Sequence, residues 1–488
     1  MKEGTRVYTA FYSSNTGVYP YAGSNPAPRR DYLLEELRRE VKDIEFIGGD
    51  IIRDFDQLVD VENRTDIDAI LVYVLTGAIW TLTPWTHRKG VDVSPFRKHP
   101  MIVISDFISG FRPSIDFWEL SRREGFPVHL IHSSSFEDIK SALHLVKVIH
   151  SMRNSKILYV GPFLDLKGVS KEILSAEQTG FWRLEADQCL KNLKDVFGIE
   201  LMVWSADKLQ KYFENADEKE VEDWTRKLIT GATKVAVPSE ESIKQGVRLY
   251  LAMKKAVKDT GADVITVDDR YVTSLRRRLG DLVPAEIPDF HGPLDVLPCW
   301  ANCQLNDDGI TAVAEGDLYA AVTHLMMRYL ADRSGFSNDP IIDTASNQLI
   351  YAHCCTVRKW EGTEGTPLPY ELRTSCQGFL AYRSTIPLNK IFTSVRINIP
   401  QKKMAIHQGK SIGVMNKEDV HLERGPMSLE ERGDLNKFIV EANAKKILEK
   451  FDYGTFGWHR SIFCGDYREP LKNIAALMGL QVIEEDKD

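Results

Sequence analysis

The sequence lacks the excess of basic residues that binding to nucleic acids requires. Its 70 aspartates and glutamates outnumber its 62 lysines and arginines, and the formal net charge is −8 at pH 7. Because much of the affinity for a phosphate backbone comes from cationic side chains, this balance argues against a general nucleic-acid-binding protein.

Long apolar segments are missing as well. No stretch reaches the roughly 18 apolar residues that a membrane-spanning helix needs, and residues 1–8 contain no apolar core of a secretory signal. Seven cysteines, an odd number in 488 residues, favour a reducing compartment over a disulfide framework. The sequence therefore predicts a cytoplasmic protein without a membrane partner.

Several common enzyme motifs are also absent. The chain contains no Gly-x-x-x-x-Gly-Lys-Ser/Thr phosphate loop, no Gly-x-Gly-x-x-Gly and no Gly-x-Ser-x-Gly. These absences disfavour nucleotide-dependent enzymes and serine hydrolases. A search for internal repeats of fixed period also finds none, which argues against a solenoid or a propeller.

What the sequence does contain is an alternation of apolar strands and amphipathic helices in its first part. Continuous apolar runs at residues 70–75, 101–104 and 128–131 are typical of parallel strands that are buried on both faces. We therefore predict an α/β fold that begins with two Rossmann-like parallel-sheet domains, at residues 1–153 and 154–292.

The pattern changes after these two predicted domains. A helix is predicted at residues 315–330, a hairpin at residues 397–406 with its turn at Pro400, and a further helix at residues 430–451. These features predict that residues 293–488 form a mixed α+β C-terminal domain with a β-barrel-like core.

Potential metal ligands stand at three separated points of this C-terminal part. They are Glu315 and Asp317, then Asp339 and Asp343 followed by His353, and finally His459. A set of carboxylates with a single imidazole suits Mn²⁺ or Mg²⁺ better than a structural zinc ion. Such a cation can hold adjacent sugar oxygens and polarise a carbonyl group.

Each of these residues also has an ordinary structural explanation. Glu315 and Asp317 stand where acidic residues commonly begin a helix, because the helix dipole favours them there. Asp339 and Asp343 bracket a turn-like link, in which aspartates often form local hydrogen bonds. A lone histidine at the end of an apolar strand is more often a core residue than a ligand. The apolar run at residues 310–314 nevertheless indicates that Glu315 leaves a buried strand, where a carboxylate needs a partner.

The cysteines offer a rival constellation. Cys299 and Cys303, together with the adjacent pair Cys354-Cys355 after His353, could form a thiolate zinc site. Adjacent cysteines are a poor pair for tetrahedral ligation, and no second Cys-x-x-Cys completes the set. We therefore expect these cysteines to be small, buried apolar residues.

Five segments of the C-terminal part stand in a distinctive order. They are Pro298-Cys299 with Asn306-Asp-Asp-Gly-Ile310, Ala314-Glu-Gly-Asp-Leu318, Ser337-Asn-Asp-Pro-Ile-Ile-Asp343, Tyr351-Ala-His-Cys354, and Gly457-Trp-His459 with Gly465-Asp466. In this order they resemble the L-fucose isomerase and L-arabinose isomerase superfamily. The resemblance covers about residues 260–488, and the earlier α/β part only by its layout.

The resemblance implies an intramolecular oxidoreductase of carbohydrate metabolism, a metal-dependent isomerase that interconverts a free aldose and a ketose through an ene-diol intermediate. Glu315, Asp339 and His459 look like its metal ligands, with Mn²⁺ as the cofactor and Mg²⁺ or Co²⁺ as alternatives. Glu315 and Asp339 also look like the catalytic carboxylates that move a proton between C1 and C2. His353 and Asp343 look like substrate-binding residues. Asp343 is also the alternative second carboxylate ligand.

The resemblance further implies a homo-oligomer, a trimer or a hexamer, with active sites between subunits. Trp85 and His87 follow the predicted strand at residues 70–75, where they could contact a sugar, although aromatic loop residues are at least as often packing residues. Two alternative functions stay open. One is a non-catalytic sugar-binding or regulatory protein, and the other is a metal-dependent epimerase or lyase on the same fold.

Overall fold

The computed structural model divides the chain into two compact units. Unit 1 comprises Met1–Asn154 and Glu469–Gln481, and unit 2 comprises Ser155–Arg468 and Val482–Asp488. The structure describes residue 2 and residues 4–13, 25–53, 55–76, 98–105, 110–161, 186–274, 292–375, 379–415 and 436–488. Within these ranges, no helix has the length and the apolar character that crossing a membrane requires. The predicted boundary after residue 153 falls at the junction of the units, and the one after residue 292 lies inside unit 2.

Unit 1 is built on a five-stranded parallel sheet. Its strands are β1 (Arg6–Ser13), β2 (Glu45–Ile52), β3 (Ala69–Thr76), β4 (Met101–Ser105) and β5 (Val128–Ile131), and its described helices include α1 (Ala27–Glu40), α2 (Val59–Glu62), α3 (Phe111–Arg123) and α4 (Phe136–Arg153). The strands lie in the order β2-β1-β3-β4-β5. The predicted strands at residues 70–75, 101–104 and 128–131 are confirmed, and every residue of β4 is buried, as its apolar run indicates.

Unit 2 begins with a second parallel sheet. This part contains β6 (Lys156–Val160), α5 (Ala186–Asp195), β7 (Glu200–Trp204), α6 (Ala206–Glu214), α7 (Glu218–Gly231), β8 (Lys234–Ala236), α8 (Glu240–Thr260), β9 (Val264–Val267), α9 (Asp269–Val272), α10 (Cys299–Asp307), β10 (Thr311–Val313) and α11 (Leu318–Ala331). Its parallel strands lie in the order β10-β9-β6-β7. Because β9 and β10 are parallel neighbours, the residues that follow them lie side by side at the carboxyl edge of the sheet.

The C-terminal part of unit 2 contains a closed antiparallel β-barrel, which confirms the predicted barrel-like core. The elements are β11 (Phe336–Asp343), β12 (Gln348–His353), β13 (Tyr370–Thr374), β14 (Leu380–Ser384), β15 (Ile391–Asn398), β16 (Lys403–Val414), β17 (Asn436–Glu441), α12 (Ala444–Lys450), α13 (Tyr453–Phe456), β18 (Arg460–Cys464) and, except for its first residue, β19 (Gln481–Glu484). Between the last two strands, helix α14 (Arg468–Leu477) belongs to unit 1 from Glu469 onwards. Six strands follow one another in the order β15-β18-β11-β12-β17-β16, and pairing of β15 with β16 closes the ring. The predicted hairpin around Pro400 is this β15–β16 pair. Strands β13 and β14 form a separate sheet with β8.

Of the described part of the predicted helix at residues 430–451, the prediction is wrong for Asn436–Glu441 and confirmed for Ala444–Lys450. Asn436–Glu441 form strand β17, which pairs with β12 on one side and β16 on the other. A helix begins only at Ala444, because the Asn443 side chain accepts a hydrogen bond from the backbone N–H of Lys446 and caps it. Tertiary pairing in the barrel therefore overrides the helical pattern of the sequence.

The predicted turn-like link between Asp339 and Asp343 is also wrong, because these residues continue strand β11. They pair with β12 along their whole length, whereas pairing of β11 with β18 ends at Asn338. Among the described residues, Pro340 therefore lies in the half of the strand that pairs on one side only, where a missing backbone N–H is tolerated.

The barrel strands carry a buried polar network. The Arg460 guanidinium donates to Glu485 Oε1 at 2.7 Å, and Glu485 Oε2 lies 2.6 Å from His407 Nδ1. On its other side His407 Nε2 lies 2.6 Å from the hydroxyl of Tyr351. All four side chains are almost fully buried. A charge in such a place is stable only with its partners, so the network ties three barrel strands to the residues after β19.

Acid is expected to destabilise the protein through Glu485. Desolvation alone would raise the pKa of this carboxyl, but Arg460 and His407 outweigh it and lower the pKa from 4.5 to about 2. Because the pKa is lower in the folded state, this contribution to stability is fully present above the unfolded pKa of 4.5 and is lost as the pH falls towards 2. Urea denaturation should show a falling midpoint across that window, and Glu485→Gln should show a smaller fall. An equal fall in both proteins would contradict this explanation.

Candidate metal centre

Glu315 lies at the carboxyl edge of the parallel sheet, directly after β10. Its backbone has φ of +65°, a left-handed conformation that costs a residue with a side chain about 1–2 kcal/mol. The Glu315 N–H donates to Oδ1 of Asp269, which follows β9, at 3.2 Å. Gly316 continues the left-handed turn with φ of +65°, and its N–H donates to the carbonyl of Val267. A strained non-glycine residue held in this way indicates a functional position.

Asp317 starts the next helix and also holds His459 in place. Its carboxylate accepts a hydrogen bond from the Ala320 N–H and so caps α11. Oδ2 of the same carboxylate lies 2.6 Å from the Arg396 guanidinium and 3.1 Å from His459 Nδ1. The Asp317 side chain is only 1 % exposed. A carboxylate on Nδ1 fixes the orientation of the imidazole and leaves Nε2 for a metal ion.

Three other candidate ligands come from adjacent strands of the barrel. Asp339 lies on β11 opposite Ala352 of β12, and His353 is the last residue of β12. His459 immediately precedes β18, whose first residue, Arg460, pairs with Asn338 of β11. Because neighbouring strands lie about 4.8 Å apart, this register brings the three side chains to one end of the barrel.

The side chains of Asp339 and His353 approach the contact between Glu315 and His459. His353 Nε2 lies 3.5 Å from Glu315 Oε1, and His459 Nε2 lies 3.5 Å from Glu315 Oε2. Asp339 Oδ1 lies 3.6 Å from the same His459 nitrogen. Ligands about 2.1 Å from one cation are separated by roughly 3–4 Å, so these distances fit a single metal ion.

The most compact part of this cluster differs from the predicted ligand set. Ligand atoms of Glu315, His353 and His459 all lie within 4.8 Å of one another. Asp339, the predicted second carboxylate ligand, contacts this group at His459, whose Nε2 lies 3.6 Å from Asp339 Oδ1. In the described part of the chain no other set of three or more such residues is this compact. His353 is therefore as well placed for a metal ion as Asp339.

The charges of the cluster reinforce one another. Desolvation alone would raise the pKa of Glu315, but His459 and His353 lower it to about 2. Burial would lower the pKa of His459, yet Glu315 and Asp317 raise it above its ordinary value. Behind the cluster, desolvation and the Glu315 carboxylate raise the pKa of Asp269 to about 8. Glu315 and His459 therefore stabilise each other as ions of opposite sign, whereas the raised pKa of Asp269 favours its neutral form at pH 7.

This donor set fits a divalent first-row metal ion. Two imidazoles with one or two carboxylates are ligands for Mn²⁺, Fe²⁺ or Co²⁺, and the second imidazole makes Mg²⁺ a poorer fit than carboxylates alone would. The side chains of Glu315 and Asp339 are 46 % and 45 % exposed, respectively. A substrate can therefore approach the two carboxylates, as a catalytic rather than a structural site requires.

The structure does not bring every predicted site residue to this centre. Asp343 lies at the far end of β11, where its carboxylate accepts hydrogen bonds from the Ala345 N–H and the Ser346 hydroxyl. Asp343 lies four positions further along the strand than Asp339, about 13 Å at the usual rise. Trp85 and His87 lie outside the described residues.

Sequence reasoning missed Asp269 and Arg396. It considered Asp317 as a potential metal ligand or a helix-starting acid, and not as the partner of His459 and Arg396. Asp269 follows the apolar strand β9 just as Glu315 follows β10, so the order of the parallel strands would have paired them. The contact between Asp317 and Arg396 joins positions 79 residues apart. The sequence gives no local signal for a contact of this kind.

The cysteines form pairs instead of a metal site. The Cys354 thiol donates to the Cys299 sulfur at 2.9 Å, and Cys355 accepts from the Tyr382 N–H. The six described cysteines are all buried and free of disulfide bonds. The expectation that these cysteines are small buried residues is therefore confirmed for the part of the chain that the structure describes.

The thiols of Cys299 and Cys303 are expected to react slowly in the native protein. A hydrogen bond from Cys354 opposes the effect, but desolvation and nearby acidic groups raise the pKa of Cys299 to about 11. The neighbouring Cys355 and desolvation also raise the pKa of Cys303. Because only the thiolate reacts, iodoacetamide at pH 8 should label both residues much faster after unfolding than before it. Peptide mapping by mass spectrometry measures this ratio, and equal rates would show that the helix α10 region opens readily.

Comparison with known proteins assigns no family. No protein-family model matches the chain, and a search of curated proteins finds no significant match.

Proposed function

We propose that the protein is a metal-dependent aldose–ketose isomerase, similar to L-fucose isomerase and L-arabinose isomerase, that acts on a free sugar. The observation that carries the proposal is the convergence of two carboxylates from distant parts of the sequence on one imidazole nitrogen. His459 Nε2 lies 3.5 Å from Glu315 Oε2 and 3.6 Å from Asp339 Oδ1. His353 joins them from a fourth segment. This convergence is what the resemblance of the sequence implies.

A divalent cation would be held by Glu315, Asp339 and His459, with His353 beside it. When bound, it would supply polarisation of the substrate carbonyl, which makes the proton on the neighbouring carbon acidic. Mn²⁺ is the proposed cofactor, and Co²⁺ or Mg²⁺ are the alternatives. Asp317 would keep His459 Nε2 directed at the centre through its contact with Nδ1.

The carboxylates of Glu315 and Asp339 would carry the proton transfer. One of them takes the proton from C2 of the aldose, and the proton is returned to C1, while the hydroxyl proton on O2 passes to O1. These steps convert the aldose to a ketose through an ene-diol without a net gain or loss of atoms. Both carboxylates are about half exposed at the same centre, as a base that must reach a substrate carbon requires.

The remaining expectations belong to the same proposal. The parallel strand order β2-β1-β3-β4-β5 supports a Rossmann-like, doubly wound first domain, since this order is a common one among such folds. A homo-oligomer, trimer or hexamer, is what the resemblance implies. The cytoplasmic location is proposed from the odd number of cysteines and from the absence of long apolar segments. Sedimentation of the purified protein would measure the subunit number.

A panel of free aldoses tests the proposed reaction. The protein is incubated with each pentose and hexose and with Mn²⁺, Co²⁺ or Mg²⁺, and ketose formation is measured by chromatography. We expect one sugar to be converted with its mass unchanged, and conversion to stop with a chelator. A new aldose as the product would favour the epimerase alternative. No conversion by folded, metal-loaded protein would favour the non-catalytic sugar-binding alternative.

A further inference from the structure

A small, mainly apolar cavity with a few polar groups in its lining adjoins the candidate metal centre. Its volume is about 40 Å³, and its lining includes Asn302, Cys299, Cys303, His324, Ser337 and His353. His353 belongs to both places, because its Nε2 lies 3.5 Å from Glu315 Oε1. A space of this size holds about two or three water molecules, or one hydroxyl-bearing carbon of a larger ligand.

Asn302 faces this cavity with an unsatisfied side chain. It lies on α10 and is only 4 % exposed, yet neither its Oδ1 nor its Nδ2 has a hydrogen-bond partner in the described structure. The side chain of Asn306, one helical turn later, does form hydrogen bonds, because its Nδ2 donates to the carbonyls of Asn302 and Ala312. Burial of an amide without partners is unfavourable, so a retained one indicates a ligand or bound water.

His324 supplies a second unsatisfied atom at the same cavity. Its Nε2 lies 3.0 Å from the hydroxyls of Ser337 and Ser461, but its Nδ1 has no partner among the described residues. The lining residues include no aspartate, glutamate, lysine or arginine. The cavity thus offers neutral donors and acceptors, which suit a hydroxyl group and do not suit a phosphate or a carboxylate.

We propose that this cavity is a subsite for one hydroxyl group of a neutral sugar whose other end lies at Glu315, and that Asn302 determines specificity there. The amide donates to the hydroxyl oxygen and accepts its proton, and His324 supplies the second contact. The inference rests on the proposed function and narrows its substrate to unphosphorylated polyhydroxylic compounds.

The variant Asn302→Leu separates binding from stability. Leucine has a similar volume without polar atoms, so the melting temperature of the ligand-free variant should equal or exceed that of the wild type. Calorimetry with Mn²⁺-loaded protein then measures Kd for linear pentitols and hexitols, which mimic the open-chain sugar, and for analogues that lack one hydroxyl. The variant Val357→Ala, which alters an apolar lining residue, is the matched control.

We expect one alditol to bind the wild type and its Kd to rise roughly tenfold or more in Asn302→Leu, because a buried hydrogen bond to the hydroxyl is lost. The analogue without that hydroxyl should bind both proteins equally, and Val357→Ala should change Kd by less than about threefold.

Equal Kd values in the wild type and Asn302→Leu would overturn the subsite. No alditol binding to the Mn²⁺-loaded wild type would overturn it as well. The ketose assay with the aldose panel would then decide separately whether the proposed isomerase survives.

Discussion

Replacement of Glu315 by glutamine is expected to abolish ketose formation and to weaken Mn²⁺ binding while the fold is retained. The change keeps the shape of the side chain but removes the negative charge that both His353 and His459 face at 3.5 Å. Loss of a catalytic base alone typically costs about 10²–10⁴-fold in rate, and loss of a charged ligand adds to it. The backbone strain at Glu315 is the same for glutamine, so the fold should be retained, with a lower melting temperature because the two imidazoles no longer face a carboxylate.

The control for this variant is Glu364→Gln, an exposed glutamate in the same unit. It removes the same charge without touching the cluster, so both Mn²⁺ affinity and turnover should match those of the wild type. Turnover that survives in Glu315→Gln would show that the base is another residue. A Glu315→Gln protein that unfolds would instead assign the carboxylate a structural role.

Replacement of Asp317 by asparagine is expected to be the most destabilising single change at the centre. Asparagine can still cap α11, but it leaves the Arg396 charge buried without its carboxylate partner. Breaking a buried ion pair from one side typically costs about 3–5 kcal/mol. The imidazole of His459 also loses its orienting partner, so Mn²⁺ affinity should fall about 10–100-fold. Urea denaturation measures the first effect and calorimetry the second.

Asp217→Asn is the matched control for Asp317→Asn. Asp217 also caps a helix, with its carboxylate accepting from the Glu220 N–H, but it is exposed. Because asparagine is an equally good cap, the free energy of unfolding should change by less than about 1 kcal/mol. A similarly small effect in Asp317→Asn would mean that Arg396 finds another partner, and the proposed role of Asp317 would then be wrong.

The elements that the sequence predicts well are those whose pattern is local. The strands of unit 1 follow from continuous apolar runs, and the β15–β16 hairpin follows from the turn at Pro400. Strand β17 and the second half of β11 were mispredicted because their conformation comes from pairing with distant strands. The local signals in these segments predicted other structures: a helical pattern predicted a helix, and a proline-containing link predicted a turn.

The candidate centre, too, is predicted by the sequence only in part. The residue types at Glu315, Asp339 and His459 predict a metal site, and the structure brings them into contact. His353 is as well placed for a metal ion as Asp339, and Asp343 lies away from the centre. Both facts depend on strand register, which no local motif encodes. The left-handed backbone at Glu315 depends on the tertiary contact with Asp269, and the sequence gives no sign of it beyond the glycine that follows.

A crystal structure of the protein with Mn²⁺, phased on the anomalous signal of the metal, would show whether these side chains form a metal centre. We expect one Mn²⁺ ion at Glu315 and His459 Nε2, with Asp339 or His353 completing the protein ligands. Asp317 should remain on His459 Nδ1. An anomalous peak at any other place, or a Mn²⁺-soaked crystal with no peak among these side chains, would contradict this expectation.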